Sequence, residues 1–145
     1  MADIPLSTGL RGASEARAAY SELLDALCTT LGVPDPDRPR VRELEALQWA
    51  GATVGFRLEE SRGLVQIYVE MPPPQALSDL DCCRVLLQKN VLLPAPYPFV
   101  FGMHPVSQRM LCCSYASLGR GSDAVQQFAA RLRQTIAFAQ SAWPA

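Results

Sequence analysis

A chain of 145 residues, 49% hydrophobic and 19% charged, fits one domain with a real core, able to bury roughly two thirds of the surface its unfolded chain exposes. Its 13 basic and 14 acidic residues leave a formal net charge of -1, so no broad positive field exists to hold nucleic acid, and the scarcity of charge leaves apolar surface for a partner. The start, Met-Ala-Asp-Ile-Pro, lacks the basic and apolar segments of a secretory signal, and no stretch approaches the ~18 apolar residues of a membrane span. A cytoplasmic protein is expected, and the five cysteines, none in Cys-x-x-Cys spacing, are expected as reduced thiols.

Ser14 to Leu31 reads as the first helix, because Tyr20, Leu23, Leu24, Leu27, Cys28 and Leu31 recur at spacings of three and four. Gly32 can cap it in a left-handed conformation, and Pro34, Pro36 and Pro39 keep it from resuming. The segment to about Val41 reads as a loop. Its arginines, Arg38, Arg40 and Arg42, lie among Asp35, Asp37, Glu43 and Glu45 and describe a solvated stretch rather than a phosphate site.

From Leu44 to Met71 the period changes to two. Val54, Phe56 and Leu58 share one face, as do Val65, Ile67 and Val69, with turn chemistry at Gly51 and at Ser61-Arg62-Gly63. Three strands in an antiparallel meander follow, stopped by Pro72 to Pro74. Ser78 or Asp79 caps a second helix to about Asn90, with Leu80, Cys83, Leu86 and Leu87 on its apolar side. Beyond Pro94, Pro96 and Pro98, two more strands are expected, around Phe99 to Phe101 and from Arg109 to Tyr115, the latter with Leu111, Cys113 and Tyr115 on one side. After Gly119 and Gly121, Ser122 is placed to cap a last helix carrying Val125, Phe128, Ala129, Leu132, Ile136, Ala139 and Trp143.

The expected order is therefore helix, three strands, helix, two strands, helix: an α+β fold with a twisted antiparallel sheet of about five strands and three helices. No internal repeat and no long linker divides it, so residues 1–145 read as a single domain.

The chemistry-bearing residues do not assemble into a catalytic pattern. His104 is the single histidine, so a Ser-His-Asp, Cys-His or two-histidine metal arrangement must use it or is impossible. Its Gly102-Met103-His104-Pro105 setting reads as a turn. Cys82-Cys83 and Cys112-Cys113 are adjacent pairs, whose side chains diverge by ~100° on a helix or point to opposite faces of a strand, so neither pair shares one metal ion easily. Gly119-Arg120-Gly121 lacks the further glycine and the lysine of phosphate-binding loops. No catalytic residue, metal or cofactor is expected. A small enzyme using His104 or a cysteine nucleophile stays as the minor alternative.

The element order, the length and several local runs resemble the class I type III secretion chaperones of the Tir-chaperone family. The most telling runs are Leu86-Leu87-Gln88-Lys89-Asn90, then Phe99-Val100-Phe101-Gly102, then Leu111-Cys112-Cys113-Ser114-Tyr115 before the long last helix. Two departures are a sequence pI of about 5.8, less acidic than is common there, and the prolines at 94 to 98 before the fourth strand. The resemblance implies a homodimer in the bacterial cytoplasm that uses no ATP, binds the extended N-terminal segment of an effector, keeps it secretion-competent and presents it to the export apparatus. It also implies that Leu80, Cys83, Leu87, Phe99 and Phe101 pack against their copies across a twofold axis.

The residues themselves offer a surface for such a segment. If Val54, Phe56, Val65, Ile67, Leu111 and Tyr115 face the helices, the reverse sheet face carries Leu64, Gln66, Tyr68, Met110 and Cys112, with Tyr20 and Leu23 extending the groove. A regulatory or adaptor protein on the same fold, with a folded partner, is the other reading.

Overall fold

The structure is a computed structural model that describes residues 6–93 and 98–144. Among the described residues the chain runs through four α-helices and five strands: α1 (Leu6–Leu31), α2 (Arg38–Leu44), β1 (Ala46–Trp49), β2 (Ala52–Glu59), β3 (Leu64–Glu70), α3 (Asp79–Leu92), β4 (Val100–Met103), β5 (Met110–Ser117) and α4 (Ser122–Gln140). The strands form one antiparallel sheet in the order β1-β2-β3-β5-β4, so β1 and β4 are its edges.

The ends of the elements follow from local chemistry. Gly32, at φ 73°, closes α1 while Val33 N–H bonds to Cys28 O at 2.9 Å and Gly32 N–H to Thr29 O at 3.3 Å, the paired bonds of a Schellman cap. Ala50 and Gly51, both at positive φ, make the two-residue turn between β1 and β2, the backbone such a tight hairpin requires. Ser78 Oγ accepts the Asp81 N–H at 3.1 Å and caps α3, as expected. At α4 the N-cap is Gly121, at φ 90°, and Ser122 is already helical.

One helix was not legible in the sequence. The arginine-rich segment expected as a loop forms α2, because Pro39 sits in the first turn, where its missing N–H and fixed φ suit a helix start. Val41 anchors this short helix in the core, and Arg42 pairs with Asp25 of α1 at 3.1 Å. The prolines at 94 and 96 lie outside the described residues.

The core lies between one sheet face and α4, with α1 packed on α4. Phe56 meets Phe128 with ring centroids 5.7 Å apart, and Val54, Ile67, Val69, Leu24, Leu27 and Leu132 close around them. A single polar pair is buried there among the described residues: Ser114 Oγ and Thr135 Oγ1 lie 2.7 Å apart, and Thr135 donates to Arg131 O at 2.6 Å. Each hydroxyl is thereby satisfied without water.

The facing of β5 is the reverse of the expectation. The register pairs Val65 with Ala116, Ile67 with Ser114 and Val69 with Cys112, which turns Cys112, Ser114 and Ala116 toward the helices and Leu111, Cys113 and Tyr115 outward. The run Met110 to Ser117 is apolar in both phases, so alternation alone does not orient it. Register with β3, and the Thr135 hydroxyl waiting for Ser114, do. Met110 and Cys112 are consequently core residues and not part of the outer face. Tyr20 and Leu23, expected to extend the groove, are 3% exposed each and also belong to the core.

Candidate partner-binding surfaces

Three surfaces remain after the core is formed. The first is the outer sheet face. Leu64, Gln66 and Tyr68 of β3 stand there, half-buried, as expected from the sequence. Beside them on this face lie Leu111 and Cys113 of β5, both buried at 8% exposure, and the exposed Tyr115, all three expected on the helix side. Tyr68 pairs with Gly55 across the strands, and its ring occupies the space a side chain at 55 would fill. Burial, and after it the Glu45 carboxylate, push the Tyr68 pKa up, so its phenol stays protonated and available as a donor. The Arg62 guanidinium lies 5.8 Å from the Tyr115 ring centroid, and ion pairs Arg62–Glu59 (3.1 Å) and Arg109–Glu70 (2.7 Å) rim the face.

The second surface is the β1 edge. The Phe56 N–H bonds to Glu45 O at 2.8 Å, which sets the alternation on β1: Leu47 and Trp49 direct their backbone groups to β2, and Ala46 and Gln48 direct theirs away. No described residue bonds to those outward groups. Alongside runs a groove of about 440 Å³ with Leu31, Val33, Val41, Leu44, Leu47 and Trp49 among its walls. Leu44 is largely exposed within it.

The third surface is the outer side of α3. Cys82 and Leu86 are the buried residues of this helix, which leaves Leu80, Leu87 and Val91 on the opposite side at 61, 65 and 83% exposure. Leu92 at the end of this helix and Val100 and Met103 on β4 are exposed apolar residues as well. Of the set expected at a twofold axis, Leu80 and Leu87 are therefore open, and Cys83 and Phe99 are half-buried. Phe101 is different. It is buried, with its ring stacked 5.2 Å from Phe138 of α4, because β4 turns it to the same side as Cys112. Val91, Leu92 and Val100 were missed; Val91 continues the Leu80 and Leu87 stripe at i+11 and i+4, a spacing the sequence did contain.

The candidate reactive groups serve the fold. His104 Nδ1 accepts the N–H groups of Val106 (3.2 Å) and Ser107 (3.1 Å), closing the turn between β4 and β5. All five cysteines are free. Burial pushes the Cys112 thiol up to about 12 and raises Cys113 and Cys28 as well, the opposite of an activated nucleophile. Among the described residues no group of three or more His, Cys, Asp or Glu is placed to hold a metal, and no helix is long and apolar enough to cross a membrane.

The fold is class I type III secretion chaperone-like: an α+β chain with a five-stranded antiparallel sheet, its last helix on one face and its first helix packed on the last. The chain superposes on a chain in the crystal structure of the ExsC-ExsE complex with a TM-score of 0.63 and 15% identity, covering 85% of this chain and 90% of that one. It superposes equally fully on a chain of the HopA1-SchA chaperone-effector complex, with a TM-score of 0.60 and 10% identity, covering 87% of this chain and 94% of the other. No protein-family model matches the sequence, and no curated protein matches it.

Proposed function

We propose that this protein is a non-catalytic export chaperone that binds the extended N-terminal segment of a type III secretion effector, keeping it soluble and competent for secretion. The observation that carries this reading is the combination of an unpaired β1 edge with an apolar groove and an outer sheet face bearing Leu64, Tyr68 and Tyr115. An extended segment bonds its backbone to Ala46 and Gln48 and lays alternate side chains into the groove, so that main-chain bonds supply affinity and pockets supply selectivity. The similarity to a chain in a chaperone-effector complex favours the same reading.

The functional form is a homodimer in the bacterial cytoplasm, joined through the stripe of Leu80, Leu87 and Val91. Three large apolar side chains on one helix face form a patch that water disfavours and a twofold copy would cover. Effector binding then runs across both protomers, and export components receive the loaded dimer.

The test is co-expression with effectors encoded beside its gene. A soluble complex is expected, in which limited proteolysis leaves a short protected segment of the client and cleaves the rest. Protection of an entire folded domain instead supports the adaptor reading.

A further inference from the structure

The two edges of the sheet are not equivalent. On β4, the His104 N–H bonds to Arg109 O at 2.8 Å, which makes Val100, Gly102 and His104 the residues whose backbone groups face β5. Those of Phe101 and Met103 face away. Asn90, near the end of α3, takes both of Phe101's: its Oδ1 accepts the Phe101 N–H at 2.8 Å and its Nδ2 donates to Phe101 O at 2.8 Å. These are the two bonds a neighbouring strand would make. A primary amide can make them because it carries a donor and an acceptor in one plane, like a peptide. On β1 the corresponding groups of Ala46 and Gln48 have no described partner.

We propose that Asn90 is an edge-closing residue. It stands in for a sixth strand on β4, so that extended chain can join this sheet only along β1. A second copy seated on α3 must then pack by side chains without continuing the sheet. The consequence for a client's docking site rests on the export-chaperone reading, but the closure itself needs no client. Aspartate offers only acceptors, and leucine or alanine offers neither group, so an asparagine at this position accomplishes what those residues do not.

The experiment compares the full-length wild type with Asn90→Ala by sedimentation velocity over a range of concentrations and by amide hydrogen exchange. In the variant the Phe101 amide is expected to exchange at least about tenfold faster, and species heavier than the wild-type form grow with concentration as opened β4 edges pair. Adding Met103→Pro to the variant is expected to remove the heavier species. The Met103 N–H faces away from β5, so proline there keeps the hairpin and blocks only the outer edge. If Asn90→Ala loses its circular dichroism signature, Asn90→Leu, which keeps a side chain of similar size and offers neither group, carries the same comparison. Fast exchange at Phe101 with a mass equal to wild type at every concentration would overturn the proposal. So would wild-type Phe101 and Met103 amides that gain protection as concentration rises. Neither result touches the client reading, which falls separately when no effector segment co-purifies.

Discussion

The ring of Tyr68 on β3 lies directly over the backbone of Gly55 on β2, and a Cβ at position 55 would collide with its ring carbons and hydroxyl. Glycine in a strand is otherwise unfavourable, so this pair exchanges a side chain at 55 for an aromatic platform on the outer face. The platform is the centre of the surface assigned to the client. Gly55→Ala is expected to swing the Tyr68 ring outward with little loss of stability, since the ring end is the part that moves. Client affinity should drop by about tenfold, corresponding to ~1.4 kcal/mol, as isothermal titration would measure.

Charge at the same platform is a harsher perturbation. Tyr68→Asp or Leu64→Asp is expected to abolish recovery of the soluble complex while the circular dichroism spectrum and melting transition persist. Both side chains are half-buried on the solvent face, outside the core. Leu23→Asp, by contrast, should prevent folding, because Leu23 is fully enclosed.

On α3, Leu87→Glu places a charge in the middle of the exposed stripe without touching Cys82 or Leu86. Light scattering on a sizing column is expected to give a dimer for the wild type and a monomer for the variant. A variant that remains dimeric would remove this helix from the interface.

The buried hydroxyl pair gives an asymmetric expectation. Thr135 donates to Arg131 O, so Ser114 is the donor in the 2.7 Å bond between them. Thr135→Val leaves the Ser114 hydroxyl buried without a partner and is expected to cost ~1–3 kcal/mol in urea denaturation. Ser114→Ala leaves Thr135 still bonded to Arg131 and should cost less.

Thiol ionisation sets an alkaline limit. Cys112 is held protonated by burial, its pKa pushed up to about 12. Because the unfolded thiol ionises at lower pH, the stabilisation is complete below the unfolded pKa of about 8.5 and is lost as pH rises toward the folded value. Unfolding free energy is expected to decline across that window by up to about 1.4 kcal/mol per pH unit for this group, and Cys112→Ala should flatten the decline.

Much of this was legible in the sequence because periodicity reports directly on burial. The α4 stripe of Phe128, Leu132 and Ile136 and the alternation of β2 and β3 left one arrangement open, and the element order followed. Periodicity failed where both phases are apolar: Met110 to Ser117 reads equally well either way, and register with β3 decides it. It failed again at α2, where Pro39 reads as a breaker but sits in the first turn, where it is tolerated. Tyr20 and Leu23 stand at the margin of an overly wide stripe, and α1 buries that width because α4 and α2 both pack against it. The role of Asn90 was not readable at all, since it depends on which Phe101 backbone groups face outward.

The central claim is that an extended client segment joins the sheet at β1 and crosses the outer face. Hydrogen exchange of the co-purified complex against the free protein tests it most directly. Protection is expected at the Ala46 and Gln48 amides and along Leu64 to Tyr68, with Phe101 unchanged. Protection confined to other surfaces, with Ala46 and Gln48 exchanging as in the free protein, would contradict it.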